Sequence, residues 1–157
     1  MERAELEAVV RACPGAVSRG GAWFLTDPAW TGERRAEAEQ LLAQSDHEER
    51  AGLGWLGIPT GGTGGAVRFA RHDEATLGAA VRGFQTYFGL GRVNAVDVLP
   101  AHHVSGLLAR VRCASSGGEH LPWSWKRLEG GDRPPLPPRP DGWVVSLVPT
   151  QLQRLLA

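Results

Sequence analysis

Leu77, Val81, Phe84 and Phe88 recur at the spacing of a helix with one apolar face, behind Asp73 as a candidate N-cap and ahead of Gly89 and Gly91 as stops. That pattern predicts a helix with the whole stripe in the core. Downstream, the apolar run 95–99, halted by Pro100, predicts a strand, and Val104, Leu107, Leu108 and Val111 predict the next helix. A strand over 143–148 and a helix over 151–156 follow. Upstream, Leu6, Val9 and Val10 mark a helix over 2–13, and the run 22–25 reads as a strand closed by Thr26, Asp27 and Pro28. A second helix over 33–44 is expected to bury Leu41 and Leu42. Residues 55–58 are apolar and run into a glycine-rich stretch, after which Val67 and Phe69 alternate with Arg68 as in a half-buried strand. The strand and helix alternation predicts an α/β fold with a mixed or parallel sheet flanked by helices. Two parts are expected, an N-terminal helical and strand segment over 1–52 and a second region over 53–157.

Composition narrows the classes of function. The 17 Lys and Arg balance 17 Asp and Glu, so no basic surplus supports binding along a nucleic acid. No apolar run approaches bilayer length, and the acidic start lacks the pattern of a signal peptide, so a cytoplasmic chain with no membrane partner is expected. Cys13 and Cys113 are too few and too far apart for a disulfide framework or a zinc site and read as buried thiols. His47 lies in a polar run over 45–50 with no second ligand at metal-site spacing, and no metal site is read from the sequence. Five of the 11 prolines fall in residues 134–140. They suit a stiff surface loop better than a polyproline ligand, because an apolar strand resumes directly afterwards.

Glycine is where composition turns into chemistry. The chain has 21 glycines in 157 residues, nearly twice the usual share of about 7%. Gly61, Gly62, Gly64 and Gly65 alternate with hydroxyls at Thr60 and Thr63, and Arg68 stands just beyond. A backbone with few Cβ atoms can turn its N–H groups inward as an anion nest, the two threonines can donate beside it, and Arg68 adds fixed positive charge. Nucleotide phosphates fit that chemistry, whereas a plain glycine hairpin fits the composition as well. The loop is not a Walker A loop, since Thr63 stands where the lysine must be, and no Gly-x-Gly-x-x-Gly spacing occurs in it. Ser105 lies outside any Gly-x-Ser-x-Gly elbow, which argues against a serine hydrolase. His102 and His103 are adjacent, and on an extended segment their side chains would point to opposite faces.

Residues 58–68, Ile-Pro-Thr-Gly-Gly-Thr-Gly-Gly-Ala-Val-Arg, resemble the phosphate-binding stretch of the AMP-forming acyl-adenylate enzymes, a run of Ser, Thr and Gly followed by Lys or Arg. Thr60, Gly61, Gly62, Thr63, Gly65, Val67 and Arg68 match, and Gly64 departs. Residues 98–106 are similar to the family's Leu-Pro-x-aromatic-His-x-x-Gly stretch, with His103 at the histidine and His102 in place of the aromatic residue. Residues 68–77, 122–129 and 146–156 look like the o-succinylbenzoate-CoA ligases of the cyanobacterial kind within that superfamily. The resemblance runs from about Trp55 onward.

This resemblance implies the start of an AMP-binding domain over 53–157, with ATP, Mg2+ and CoA as cofactor and substrates and an aromatic carboxylic acid as the group activated, as in menaquinone or phylloquinone biosynthesis. It implies phosphate contacts from Thr60, Gly61, Gly62, Thr63, Gly64, Gly65 and Arg68, and an acyl pocket at His102, His103, Ser105 and Gly106. His103 would be the catalytic-site histidine, positioning the acyl group. The family's later motifs, among them Tyr-Gly-x-Thr-Glu and the lysine that drives adenylation, are not in these 157 residues. The expectation is therefore an N-terminal part, inactive alone, that works with a downstream complementary chain. The competing expectation is a non-catalytic nucleotide- or partner-binding module, as a split subunit or a gene remnant.

Overall fold

The computed structural model describes residues 2–45, 54–60 and 65–157. In chain order its elements are α1 (Arg3–Arg11), β1 (Ala16–Arg19), β2 (Ala22–Leu25), α2 (Gly32–Ser45), β3 (Leu56–Pro59), β4 (Phe69–His72), α3 (Glu74–Phe88), β5 (Ala95–Asp97), α4 (Val104–Ser116), β6 (His120–Pro122), α5 (Trp125–Glu129), β7 (Val144–Val145) and α6 (Pro149–Leu156). The fold is α/β. Its strands form two sheets, and the chain divides into two compact units, residues 1–78 with 102–104, and residues 79–101 with 105–157.

In the first unit the sheet order is β1-β2-β3-β4. β1 and β2 are antiparallel, β2 and β3 parallel, and β3 and β4 antiparallel, so this sheet is mixed. Ala22 and Phe24 of β2 pack with Leu42 of α2, and Phe69 meets Phe24 edge to face at 5.3 Å. Gly57 of β3 is required by that contact, because a Cβ there would run into the Phe24 ring. α2 buries Leu42 but leaves Leu41 exposed, against the expectation that both are buried, since successive helical residues are about 100° apart and one apolar position suffices to face β2.

In the second unit β5 lies between β6 and β7, parallel to both. All three residues of β5 are buried, as expected of a central parallel strand covered on both faces. Ala95 packs with Ala109 and Cys113 of α4, whereas Val96 packs with Leu128 of α5 and a shell of Trp123, Trp125, Trp143 and Leu147. The strand expected over 143–148 is only two residues long, Val144 and Val145, paired with Ala95 and Val96 of β5.

Asp73 caps α3 as its position suggests: the Thr76 amide donates to Asp73 Oδ1 at 2.8 Å and the Asp73 amide donates to Thr76 Oγ1 at 2.9 Å. Hydrogen bonds from the Thr76 amide and hydroxyl hold the Asp73 carboxyl below its ordinary value. Of the α3 stripe, Leu77 and Val81 are buried, but Phe88 is 56% exposed. It rests on Phe84 at 4.6 Å and on Tyr87 at 4.8 Å, and with Phe84 it forms part of a groove wall rather than the core. Residues 46–50 of the expected polar connection lie outside the described residues.

Two helical glycines are predicted to respond in opposite directions to alanine. A Cβ at Gly83 of α3 meets nothing within 4 Å, so Gly83→Ala should raise stability by about 0.5–1 kcal/mol. A Cβ at Gly106 of α4 would strike the Pro100 and Leu99 carbonyl oxygens, so Gly106→Ala should lower it by roughly 1–3 kcal/mol. Urea unfolding of both variants checks the sign.

Candidate functional site

The glycine-rich stretch joins β3 to β4. Their register pairs Leu56 with His72, Gly57 with Arg71, Ile58 with Ala70 and Pro59 with Phe69. One more rung follows, the Thr60 amide donating to the Arg68 carbonyl at 2.9 Å, with the Thr60 hydroxyl 3.4 Å from the same oxygen. Thr60 and Arg68 thus stand side by side, both exposed. The amide of Thr60 is committed to this rung and does not contribute to an anion nest. Gly61, Gly62, Thr63 and Gly64 lie outside the described residues.

Helix α2 grips the returning limb. Glu37 Oε1 accepts from the Val67 amide at 2.9 Å, and Arg34 Nη1 donates to the Gly65 carbonyl at 3.1 Å. Val67 is buried, which fixes Arg68, one residue on, toward solvent. Both gripping residues were missed by reading motifs alone, since residues 34 and 37 are some 30 positions from the residues they hold.

The second sequence-predicted group divides between the two units: His102 and His103 belong to the first, Ser105 and Gly106 to the second. Residues 101–103 form a turn rather than an extended segment, so the two imidazoles share one side, with ring centroids 4.5 Å apart. His102 Nε2 lies 3.3 Å from Asp27 Oδ1. Burial lowers the pKa of His102, the neighbouring His103 lowers it further, and Asp27 opposes both. The net shift is downward and favours the neutral imidazole. Asp27, His102 and His103 bring ligand-capable atoms within 4.8 Å of one another, a grouping hidden in the sequence by the distance from 27 to 102.

Gly106 is buried against the Leu99–Pro100 backbone, which gives this glycine a packing role. Ser105 lines a groove of about 560 Å³ with Phe84, Phe88, Leu108, Arg112 and residues 144–147. Arg112 lies over the Phe84 ring at 4.0 Å, and its Nε is buried with no hydrogen-bond partner among the described residues. Burial lowers the pKa of this guanidinium, though far from enough to discharge it at pH 7. A half-buried guanidinium whose Nε has no hydrogen-bond partner among the described residues is suited to a ligand carboxylate. Its signal in the sequence, an arginine on the groove side of α4, becomes readable only once the helix has been placed.

The start of the 98–106 stretch is anchored by Asp97. Its buried carboxylate accepts from Arg110 Nε at 3.1 Å and from the Leu99 amide at 3.2 Å, and contacts His120 Nε2 at 2.9 Å. Burial alone would raise its pKa, but the hydrogen bonds from His120, Arg110 and Leu99 and the charge of Arg110 outweigh it and hold the carboxyl low. Cys113 behaves as the expected buried thiol, its pKa pushed up to about 11, chiefly by burial.

No family model, curated protein or solved structure matches this chain.

Because the Asp97 carboxyl titrates lower when folded than its ordinary value of 3.8, its contribution to stability is present above that value and is lost as pH falls through the folded one. Asp97→Asn should flatten the acid limb of the stability profile below about pH 4 and cost about 3–5 kcal/mol at pH 7 by leaving Arg110 unpaired. Denaturant unfolding between pH 2 and pH 7 tests both.

Proposed function

We propose that this chain holds the polyphosphate of ATP and a carboxylic acid for an AMP-forming acid-CoA ligase, with o-succinylbenzoate as the acid. The observation that carries the reading is the β3–β4 hairpin, whose exposed Thr60 and Arg68 flank a stretch of four glycines and Thr63. In acyl-adenylate formation a carboxylate attacks the α-phosphorus of ATP and pyrophosphate leaves, so negative charge accumulates on the leaving group. Hydrogen-bond donors of the glycine-rich stretch and the Arg68 guanidinium would stabilise that charge without covalent chemistry by the protein. The nucleophile is a carboxylate already ionised near pH 7, so the step needs no general base from the chain.

The groove beside α4 supports the choice of acid. o-Succinylbenzoate has an aromatic ring and two carboxylates, so one carboxylate can react while the other requires a partner. Phe84, Phe88 and Leu108 offer an apolar wall, and Arg112 offers a half-buried guanidinium whose Nε has no partner among the described residues. The 157 residues contain no Tyr-Gly-x-Thr-Glu stretch, so the role proposed for them is substrate holding.

The test is equilibrium binding to the full chain, followed by calorimetry. Gly62→Asp and Arg68→Ala should weaken Mg·ATP by tenfold or more and leave o-succinylbenzoate binding unchanged, whereas Arg112→Ala should do the reverse. Tight ATP binding that both loop variants leave untouched would overturn the phosphate assignment. ATP bound at the loop with no acid bound at Arg112 would favour a nucleotide-binding module instead.

A further inference from the structure

We propose that Asp27, His102 and His103 form a binding site for one divalent transition-metal ion of the zinc class. Two imidazoles and one carboxylate are the donors such ions take, whereas Mg2+ and Ca2+ prefer an all-oxygen set. Zinc bonds of about 2.0–2.1 Å in a tetrahedron place ligand atoms about 3.3 Å apart. The Asp27 Oδ1 to His102 Nε2 distance is already 3.3 Å. The ligand atoms of all three residues lie within 4.8 Å, so His103 has about 1.5 Å at most to close, and as the exposed member it is free to turn.

The surroundings suit a site rather than a chance contact. The Ala29 amide donates to Asp27 Oδ1 at 2.8 Å, and the Trp30 amide donates to the Asp27 carbonyl at 3.1 Å, so the carboxylate is oriented by its own turn in the way an outer-shell donor orients a ligand. Asp27 Oδ2 and the His103 ring have no hydrogen bond among the described residues, which leaves a carboxylate oxygen and the unprotonated ring nitrogen available to an ion. Asp27 and His102 are half-buried and His103 is exposed, giving an ion an entry side and a fourth position for water. All three residues belong to the first compact unit. A bound ion would tie the turn after β2 to the residue preceding α4.

The site does not rest on the ligase reading, and its test uses neither ATP nor acid. Tag-free chain is titrated with Zn2+ against a chromophoric chelator, and with Co2+ to read the coordination number from its visible absorption. The expected result is one ion per chain in a four-coordinate spectrum, insensitive to excess Mg2+. Asp27→Asn, His102→Ala and His103→Gln should each weaken it by at least the roughly tenfold to hundredfold that losing even an outer-shell partner costs. His72→Ala should leave it unchanged, and thermal unfolding of each variant separates lost ligands from lost fold, with the exposed His103→Gln as the variant least able to unfold the chain. Gly62→Asp, the variant that weakens Mg·ATP under the ligase proposal, should leave Zn2+ binding unchanged, so failure of either assignment is read separately. No stoichiometric binding, or binding that survives all three ligand variants, overturns the site, and indifference to Asp27→Asn overturns the three-ligand set.

Discussion

A glycine-rich backbone has almost no side chains with which to hold a shape, so whatever it does must be imposed from its two ends. Here the imposing interaction is the antiparallel pairing of β3 with β4, extended one rung by the Thr60 amide on the Arg68 carbonyl. It sets two exposed polar side chains across from each other at the points where the chain leaves the sheet and returns to it. The α2 contacts from Glu37 and Arg34 then fix the returning limb, and burial of Val67 fixes the direction of Arg68. Backbone hydrogen bonds do the positioning, and Arg68 supplies the exposed charge.

The second unit solves a different problem with the same economy. Its central strand β5 is only three residues long, yet it is covered on one face by α4 and on the other by α5 and three tryptophans. Short strands contribute few hydrogen bonds, so the chain leaving β5 is held by side chains: Asp97 takes the Leu99 amide, Arg110 and His120 at once. Gly106 lets α4 begin directly against the Leu99–Pro100 backbone. Those contacts determine where α4 starts, and with it which face carries Ser105 and Arg112 to the groove.

Long periodic elements were legible in the sequence, and short ones were not. α3 and α4 follow from their apolar spacing, and the cap at Asp73 from a single side chain. β1 offered only Ala16 and Val17 as apolar residues, β6 is a His-Leu-Pro triplet, and α5 is five residues over a tryptophan pair, so none carries a period to detect. The two sheets were hidden as well, because alternation of strands and helices is blind to which strands pair. At the candidate site, Thr60 and Arg68 stood out by composition beside the glycines, but their pairing across the hairpin did not. Asp27, Arg34, Glu37 and Arg112 were not, because each acquires its role from a residue distant in sequence or from the helix face on which it falls.

The central claim is that phosphate binds at the β3–β4 hairpin, and amide hydrogen exchange reads that location directly. With saturating Mg·pyrophosphate, slowed exchange concentrated in residues 60–68 and in the α2 turn bearing Arg34 and Glu37 is the predicted result. Saturable binding that leaves 60–68 unchanged, or protects instead the polar cavity lined by Arg92, Glu119 and Arg139, would contradict it.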